Sequence, residues 1–433
     1  MADKVVSATS RKYHHKTRRG CLVCKQRRIK CDERKPICLN CGKKSIECSF
    51  LRLVPASVLK RYEFQVSSQH SLSPPSDPGF ALFCRPNTID REFFTRYISH
   101  TAPTITNREN SKAIYTSVIP RLSSTNSFLG HGILAIAYGH AARTTTQPDL
   151  IAKYLTDSAF HMNTTLSSYS QAITHLSQDN TPAVFGASVL ICLYTFLSSA
   201  HEYEELLSPD TINLENRDSN FLDQLILIPV RLAHGIRGIV YVFWQSREWI
   251  ATSSLSPLIQ RPSPLHGPER LLFWAHIEDQ ELAKLGNLWT GNSVSKQEAS
   301  ILSQALEHLR RTFIISTRLH AFARDAEESD TSPSIEGTSL KDIHHRLSAA
   351  RLDDLASIFT WYVSIPGEFL GMLQRRNLFA VVLLAHHAIL LDRACAKKWW
   401  FCNLSSNFVS ASSLILGKER RAWIEWPLKV VGS

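Results

Sequence analysis

The sequence predicts a mostly α-helical protein in two parts, a small cysteine-rich head and a large all-α body. Three observations carry this expectation. Six cysteines crowd into residues 21–48. From about residue 89 onward, apolar residues recur at steps of three and four, the spacing of one helix face. Clear alternating strands are missing; the best candidate, Ile239 to Trp244, suits a buried helix equally well. The chain has 433 residues, 44% of them apolar, which allows two or three domains and enough apolar surface for a sizeable core.

The head is defined by its spacing. Cys21, Cys24 and Cys31 follow C-x2-C-x6-C, and Cys38, Cys41 and Cys48 repeat the pattern 17 residues later. Such a repeat suggests a local two-fold arrangement around metal. A structural zinc takes four ligands in a tetrahedron. One ion would leave two thiols spare, whereas two ions need eight positions, which six thiolates fill if two of them bridge. By symmetry the bridging pair is Cys21 and Cys38. One zinc then takes Cys21, Cys24, Cys31 and Cys38, and the other takes Cys38, Cys41, Cys48 and Cys21. No position stays open for water, so the site is structural and not catalytic. A disulfide framework needs an oxidising compartment, and Met1-Ala2-Asp3-Lys4 opens no apolar signal segment. A single four-cysteine ribbon leaves the repeat unexplained.

Charge is concentrated in the same place. The net charge is +11, but residues 1–50 hold 14 Lys and Arg against 4 Asp and Glu, and the remainder holds 35 against 34. A polyanion-binding head on a neutral body has this distribution. Residues 1–19 end in Arg11-Lys12-Tyr13-His14-His15-Lys16-Thr17-Arg18-Arg19 and hold little apolar content, so the arm is expected to be disordered alone. It suits phosphate contact and nuclear import. After Cys24, the run Lys25 to Lys30 has no helix breaker and room for about two helical turns, with Ile29 free to pack inward.

These residues resemble the two-zinc, six-cysteine cluster of fungal transcription factors, a module that sets a short helix in the DNA major groove. Beyond the cysteines, the likeness includes Arg27-Arg28-Ile29-Lys30-Cys31-Asp32 and Lys35-Pro36. The resemblance implies that the basic residues three and four places after the second cysteine, Arg27 and Arg28, approach the bases, with Arg28 favoured. It also implies CGG-like half-sites. Arginine or lysine suits the two acceptors on a guanine edge. Lys25, Lys30, Lys43 and Lys44 are better placed for phosphates, which set register without reading sequence. Arg18 and Arg19 extend that contact. The fixed φ of Pro36 suits a tight turn between the two units.

Residues 51–88 read as a linker. The apolar stretch from Leu51 to Leu59 is short, Pro55 interrupts it, and sustained heptads are absent. Residues 66–78 are rich in Ser and Pro. In the body, Ile151, Leu155, Ala159, Met162, Leu166, Tyr169 and Ile173 form a helical stripe. So do Leu302, Leu306, Leu309 and Phe313, and Leu352, Leu355, Phe359 and Tyr362. Breaks are expected near 207–220, 252–268 and 324–340. The domain boundaries that follow are 1–19, 20–50, 51–88 and 89–433, the last an all-α domain in one piece or in two packed halves. Ala183 to Ala200 and Leu378 to Leu391 are apolar, but they read as buried helices and not membrane spans.

The body resembles, more loosely, the fungal-specific regulatory domain through Asn180 to Ala200, Arg237-Gly238-Ile239, Trp361 to Leu391 and Trp423-Ile424-Glu425-Trp426-Pro427. The branch in view is that of sterol-uptake and related pathway regulators, which implies a lipid-like ligand, contact with the transcription machinery and a nuclear location. Catalytic signatures are missing: the sequence has no GxxxxGK[ST], GxSxG or HExxH. Gly130-His131-Gly132 lacks the third glycine of a dinucleotide fingerprint. His344-His345 and His386-His387 are adjacent pairs that point to different helix faces and so make poor joint ligands. Cys84, Cys192, Cys395 and Cys402 read as ordinary reduced thiols. The expected function is sequence-specific DNA binding by a transcription factor, with double-stranded DNA and a second copy of the chain as partners. The alternative is an enzyme or scaffold that uses the zinc module only as an anchor.

Overall fold

The computed structural model describes residues 21–32, 38–44, 88–208, 219–260, 269–290, 294–321, 338–352, 354–395 and 398–431. The chain separates into two units, Met1–Ser71 and Leu72–Ser433. In the first, two short helices are described, α1 (Leu22–Gln26) and α2 (Leu39–Gly42).

The second unit is helical. It begins with α3 (Thr88–Arg96), which runs into a π-helical turn, Tyr97–Thr101, and a series of short helical pieces. Four long helices follow: α4 (Ser127–Thr144), α5 (Pro148–Ala172), α6 (Thr181–Leu206) and α7 (Ser219–Ala251). Then come α8 (Glu269–Ala283), α9 (Lys296–Arg318), β1 (His320–Ala321), α10 (Leu340–Ala349) and β2 (Arg351–Leu352). The chain closes with α11 (Ala356–Ser364), α12 (Gly367–Gln374), α13 (Leu378–Cys395), α14 (Leu404–Leu416) and α15 (Glu425–Val430). The two strands pair antiparallel, His320 opposite Leu352. The three expected breaks lie largely outside the described residues, and Ile239 to Trp244 lies within α7.

One buried core runs from Phe93 to Val431, so the body is built around a single interior. A smaller cluster of Leu271, Trp274, Ile343 and Leu347 lies beside it. The helix α4 is apolar nearly all round and is correspondingly buried nearly all round. It packs along α5 on one side and α6 on another. The contact with α6 is close because α4 carries glycine where leucines approach. A Cβ at Gly132 would lie 3.2 Å from Leu190, and one at Gly139 would lie 2.2 Å from Leu197. Seven residues separate each pair on both helices. Gly132, part of the unusual Gly-His-Gly run, is therefore a packing residue.

The stripes are partly corrected. Leu302, Leu306, Leu309 and Phe313 are all buried on α9. On α5 Ala159 and Met162 of the expected stripe are fully buried, Tyr169 and the following Ile173 pack partly buried against the core, and the deepest face also carries Ser158, His161 and Thr165. Two of these polar groups are satisfied by α4: Ser158 Oγ donates to the Ala135 carbonyl at 2.6 Å and Thr165 Oγ1 to that of Phe128 at 3.1 Å. Apolar counting misses a face whose hydroxyls bond to the neighbouring backbone. Leu352 belongs to β2 and not to a helix, and α11 starts at Ala356.

By length and composition alone, α6 and α7 would suffice to cross a membrane, or three spans if the bent pair α12–α13 counts as one. Within this fold, 67% of the most apolar window of α6 is buried and 50% of that of α7. The residues of α13 from Ala380 to Ala385 and from Ala388 to Leu391 are at most 2% exposed, so its apolar character is that of a core helix.

Polar anchors fix the helices to one another. The N–H of the Trp361 indole donates to the Ala305 carbonyl at 2.9 Å, tying α11 to α9. Arg237 on α7 reaches the end of α11, where its guanidinium donates to the carbonyls of Tyr362 (2.7 Å) and Ile365. Those carbonyls are orphans of a helix C-terminus, which basic side chains commonly satisfy. Deep in the core, Arg393 pairs with Glu278, both side chains 1% exposed or less. Thr317 Oγ1 adds a bond to Glu278 at 2.7 Å.

Candidate metal centre and nucleic-acid interface

The 17-residue sequence repeat becomes a structural repeat. Cys21 is the N-cap of α1, its Sγ accepting from the Cys24 N–H at 3.3 Å. Cys38 is the N-cap of α2 and accepts from the Cys41 N–H at 3.4 Å. Each first cysteine thus closes its own helix with the sulfur that it also turns to the centre. A helix N-terminus with its N–H groups favours a thiolate.

The sulfurs converge. Those of Cys21, Cys24, Cys31 and Cys38 all lie within 4.8 Å of one another, and all four residues are buried. The Cys21–Cys38 separation is 3.7 Å and Cys24–Cys38 is 3.5 Å. Cys41 Sγ lies 3.7 Å from that of Cys21. Sulfurs bound to one tetrahedral zinc at ~2.3 Å stand ~3.8 Å apart, so this donor set fits. The four converging residues are the first set expected from the sequence. Cys41 sits against Cys21, a contact consistent with the second expected set; Cys48, its remaining member, lies outside the described residues.

The electrostatics of the bare thiols also call for a cation. At Cys21 burial raises the pKa, but the Cys24 N–H and the neighbouring thiols outweigh it and bring the value down to about 6. Burial and the proximity of Cys21 push Cys24 up to about 12, and burial raises Cys38 as well. Ionising one sulfur hinders the next, so the full set becomes thiolate only with divalent charge at its centre.

The basic run is shorter as a helix than expected. It ends at Gln26, where the Arg28 N–H bonds to the Lys25 carbonyl and the Ile29 N–H to that of Cys24, both at 3.1 Å. This is a Schellman turn, with Arg28 in the left-handed position at φ 53°. The chain therefore reverses one turn early. Ile29 points outward, 38% exposed, instead of packing inward. Lys25, Arg28 and Lys30 are exposed around this turn, while Arg27 is half-buried with Nη1 enclosed and unbonded. Lys43 and Lys44 are exposed at the end of α2. Arg18, Arg19 and Pro36 lie outside the described residues.

Two residues to which the sequence assigned no role hold the halves together. Asp32 Oδ1 accepts the Leu39 N–H at 2.8 Å, satisfying the first orphan donor of α2. Asn40 Nδ2 donates to the Lys30 carbonyl. The signal was an acidic residue beside the third cysteine, in a stretch where charge is otherwise basic.

The histidine pairs hold no joint site. His345 is exposed, while His344 accepts from Arg393 Nε at Nδ1 (3.2 Å) and so donates from Nε2 to Asp392 (3.1 Å). His386 Nδ1 bonds the Val382 carbonyl and His387 Nε2 that of Ile358, each at 2.8 Å. Burial pushes both histidines down to about 4. Cys192 is pushed up to about 12 by burial, and burial raises Cys402. Cys84 and the side chain of Cys395 lie outside the described residues.

Comparison with known proteins agrees with this geometry. Residues 19–56 match the family described as fungal Zn(2)-Cys(6) binuclear cluster domain, and residues 92–207 the fungal specific transcription factor domain. The chain is 53% identical over 45 residues to sterol uptake control protein 2 of Candida albicans, a match covering 10% of this chain and 6% of that protein. It is 26% identical over 201 residues to the Zn(2)-C6 fungal-type transcription factor afumD of Aspergillus fumigatus, covering 45% and 51%. It is 54% identical over 43 residues to the transcriptional regulatory protein moc3 of Schizosaccharomyces pombe, covering 10% and 8%. The matches thus span about half of one relative's length and under a tenth of the other two. No solved structure matches. The head thus matches a two-zinc Zn(2)-Cys(6) cluster domain at residues 19–56, and part of the body matches a fungal specific transcription factor domain at 92–207.

Proposed function

We propose that the chain is a nuclear, sequence-specific DNA-binding regulator of transcription whose cluster domain reads CGG-like half-sites. One observation carries this most directly. A buried, four-sulfur centre holds a capped helix whose rigid end presents Lys25, Arg28 and Lys30 to solvent. Arg28 takes the guanine edge, and Lys25, Lys30, Lys43 and Lys44 take phosphates, with Arg18 and Arg19 extending the contact. Arg27, half-buried in the head, is the second candidate for a base contact beside Arg28. Cys21, Cys24, Cys31, Cys38, Cys41 and Cys48 hold the two zincs, with Cys21 and Cys38 shared.

The remaining parts follow the relatives. The cluster's likeness to sterol uptake control proteins supports control of sterol or secondary-metabolite genes. A lipid-like ligand of the helical domain and a homodimer on paired half-sites belong to the same proposal. The test is selection of binding sites from random duplexes with the zinc-loaded full-length chain. Recovery of CGG triplets, in one orientation and spacing, is the expected result. Equal recovery of all sequences would reduce the head to a non-specific anchor. Salt dependence alone cannot separate the two, because phosphate contacts give it to both.

A further inference from the structure

A branched apolar side chain stands in solvent at the tip of the basic turn. Ile29 is 38% exposed, and the apolar side chain that packs on the sulfurs is Val23 instead. The backbone of Ile29 is pinned on both sides. Its N–H bonds to the Cys24 carbonyl at 3.1 Å, and the carbonyl of the next residue, Lys30, accepts from Asn40 Nδ2. Arg28 before it and Lys30 after it are exposed as well. Three consecutive residues therefore present a guanidinium, an apolar group and an ammonium to solvent, in that order. A single apolar residue on a protein surface needs no explanation by itself. This one is set between two side chains assigned to DNA.

The inference rests on the reading in which Arg28 takes a guanine edge and Lys30 a phosphate. Consecutive Cα atoms stand about 3.8 Å apart, and stacked bases about 3.4 Å. The residue after Arg28 is thus spaced to meet the base pair next to its guanine. On the major-groove edges of the bases, the apolar group is the C5-methyl of thymine; the other edges present donors and acceptors. We propose that Ile29 is a specificity-determining residue that packs on the methyl of a thymine bordering the CGG triplet. Contact there removes apolar surface of both partners from water. A polar edge in the same place would lose its hydrogen-bonded water to a side chain that offers no replacement.

The test is competition binding of the full-length, zinc-loaded chain at fixed salt. Its duplexes carry CGG with thymine at the pair bordering the triplet on either side, or deoxyuridine in its place, which lacks only the methyl. Burying one methyl corresponds to about a fourfold gain in affinity. Thymine is therefore expected to bind about fourfold tighter than deoxyuridine at one of the two borders. Ile29→Ala should bring that ratio close to one. Ile29→Asn, polar and of similar bulk, should do the same, and it serves if elemental analysis finds the alanine variant without zinc. Equal affinity for thymine and deoxyuridine at both borders, or a ratio that survives in either zinc-loaded variant, would overturn the role of Ile29 and leave the CGG reading standing. Absence of any CGG preference in the parent chain would overturn both.

Discussion

Arg28 offers a way to separate backbone from side chain in the reading head. It occupies φ 53°, where an L-residue costs roughly 1 kcal/mol relative to glycine. Arg28→Gly removes the guanidinium and relieves that strain, whereas Arg28→Ala removes the guanidinium and keeps it. A bidentate contact to guanine contributes about 1–3 kcal/mol of discrimination, so both variants should lose roughly five- to 150-fold preference for a CGG duplex over a scrambled one. Their stabilities should diverge by about 1 kcal/mol in favour of glycine, because the Schellman turn closes α1 in both. The assay is competition binding of the full-length chain at fixed salt, paired with denaturant-dependent release of zinc to a chelator. Undiminished CGG preference in the glycine variant would refute the reading role of Arg28. Equal stability of the two variants would refute the strain.

Other consequences are independent of that contact. Cys38→Ala removes a sulfur placed in both metal sets, so elemental analysis should find both zincs lost; retention of two ions would contradict the shared pair. Gly139→Ala drives a Cβ to 2.2 Å from the packed Leu197 and should cost about 1–3 kcal/mol, read as a lower melting temperature of the body. An unchanged melting temperature would show that α4 and α6 part freely. His140, His320, His386 and His387 are all lowered to about 4 by burial, so the folded state binds fewer protons than the unfolded one between about pH 6.5 and 4. Stability is therefore full above pH 6.5 and should fall as the pH drops through that window, followed by circular dichroism. His201 has the opposite sign. Glu204 and Glu205 outweigh the effect of its burial and raise it to about 9, so its contribution is complete below pH 6.5 and fades only on the alkaline side.

What the sequence made legible was whatever repeats. Cysteine spacing, a covalent count with few solutions, gave the converging sulfurs and the set Cys21, Cys24, Cys31 and Cys38 before any coordinates. Apolar periodicity located α9 because Leu302 to Phe313 face a core made of other apolar groups. It located α5 as well, where Ala159 and Met162 are buried and Tyr169 and Ile173 pack against the core, but it gave no sign of the hydroxyls on that face that bond to the α4 backbone. Helix length after Cys24 was misjudged. Propensity allowed two turns, but the closure of Ile29 N–H onto the Cys24 carbonyl stops the helix at Gln26. Nothing in residue type announces that turn, since arginine is not a residue that favours φ > 0. The partner of a buried charge is equally hidden. Glu278 and Arg393 lie 115 residues apart, and only the fold brings them together.

The two errors at α1 share a cause that bears on function. A longer helix with Ile29 inward would have buried part of its basic face against the head. Ending at Gln26 instead turns the chain so that Arg28 and Lys30 flank the helix terminus in solvent. The turn is held on three sides: Cys21 caps the start of α1, Asn40 binds the Lys30 carbonyl, and Asp32 clasps the first N–H of α2. Two of these bonds, those of Asn40 and Asp32, join the two halves of the head. A head this small buries too little apolar surface to fix such a turn by packing. Its geometry must come from sulfur and from these bonds, which is why the same cysteines that cap the helices also stand at the metal centre. The base contact proposed for Arg28 needs a steady Cα, and the sulfurs of the cluster together with these bonds hold the turn that carries it.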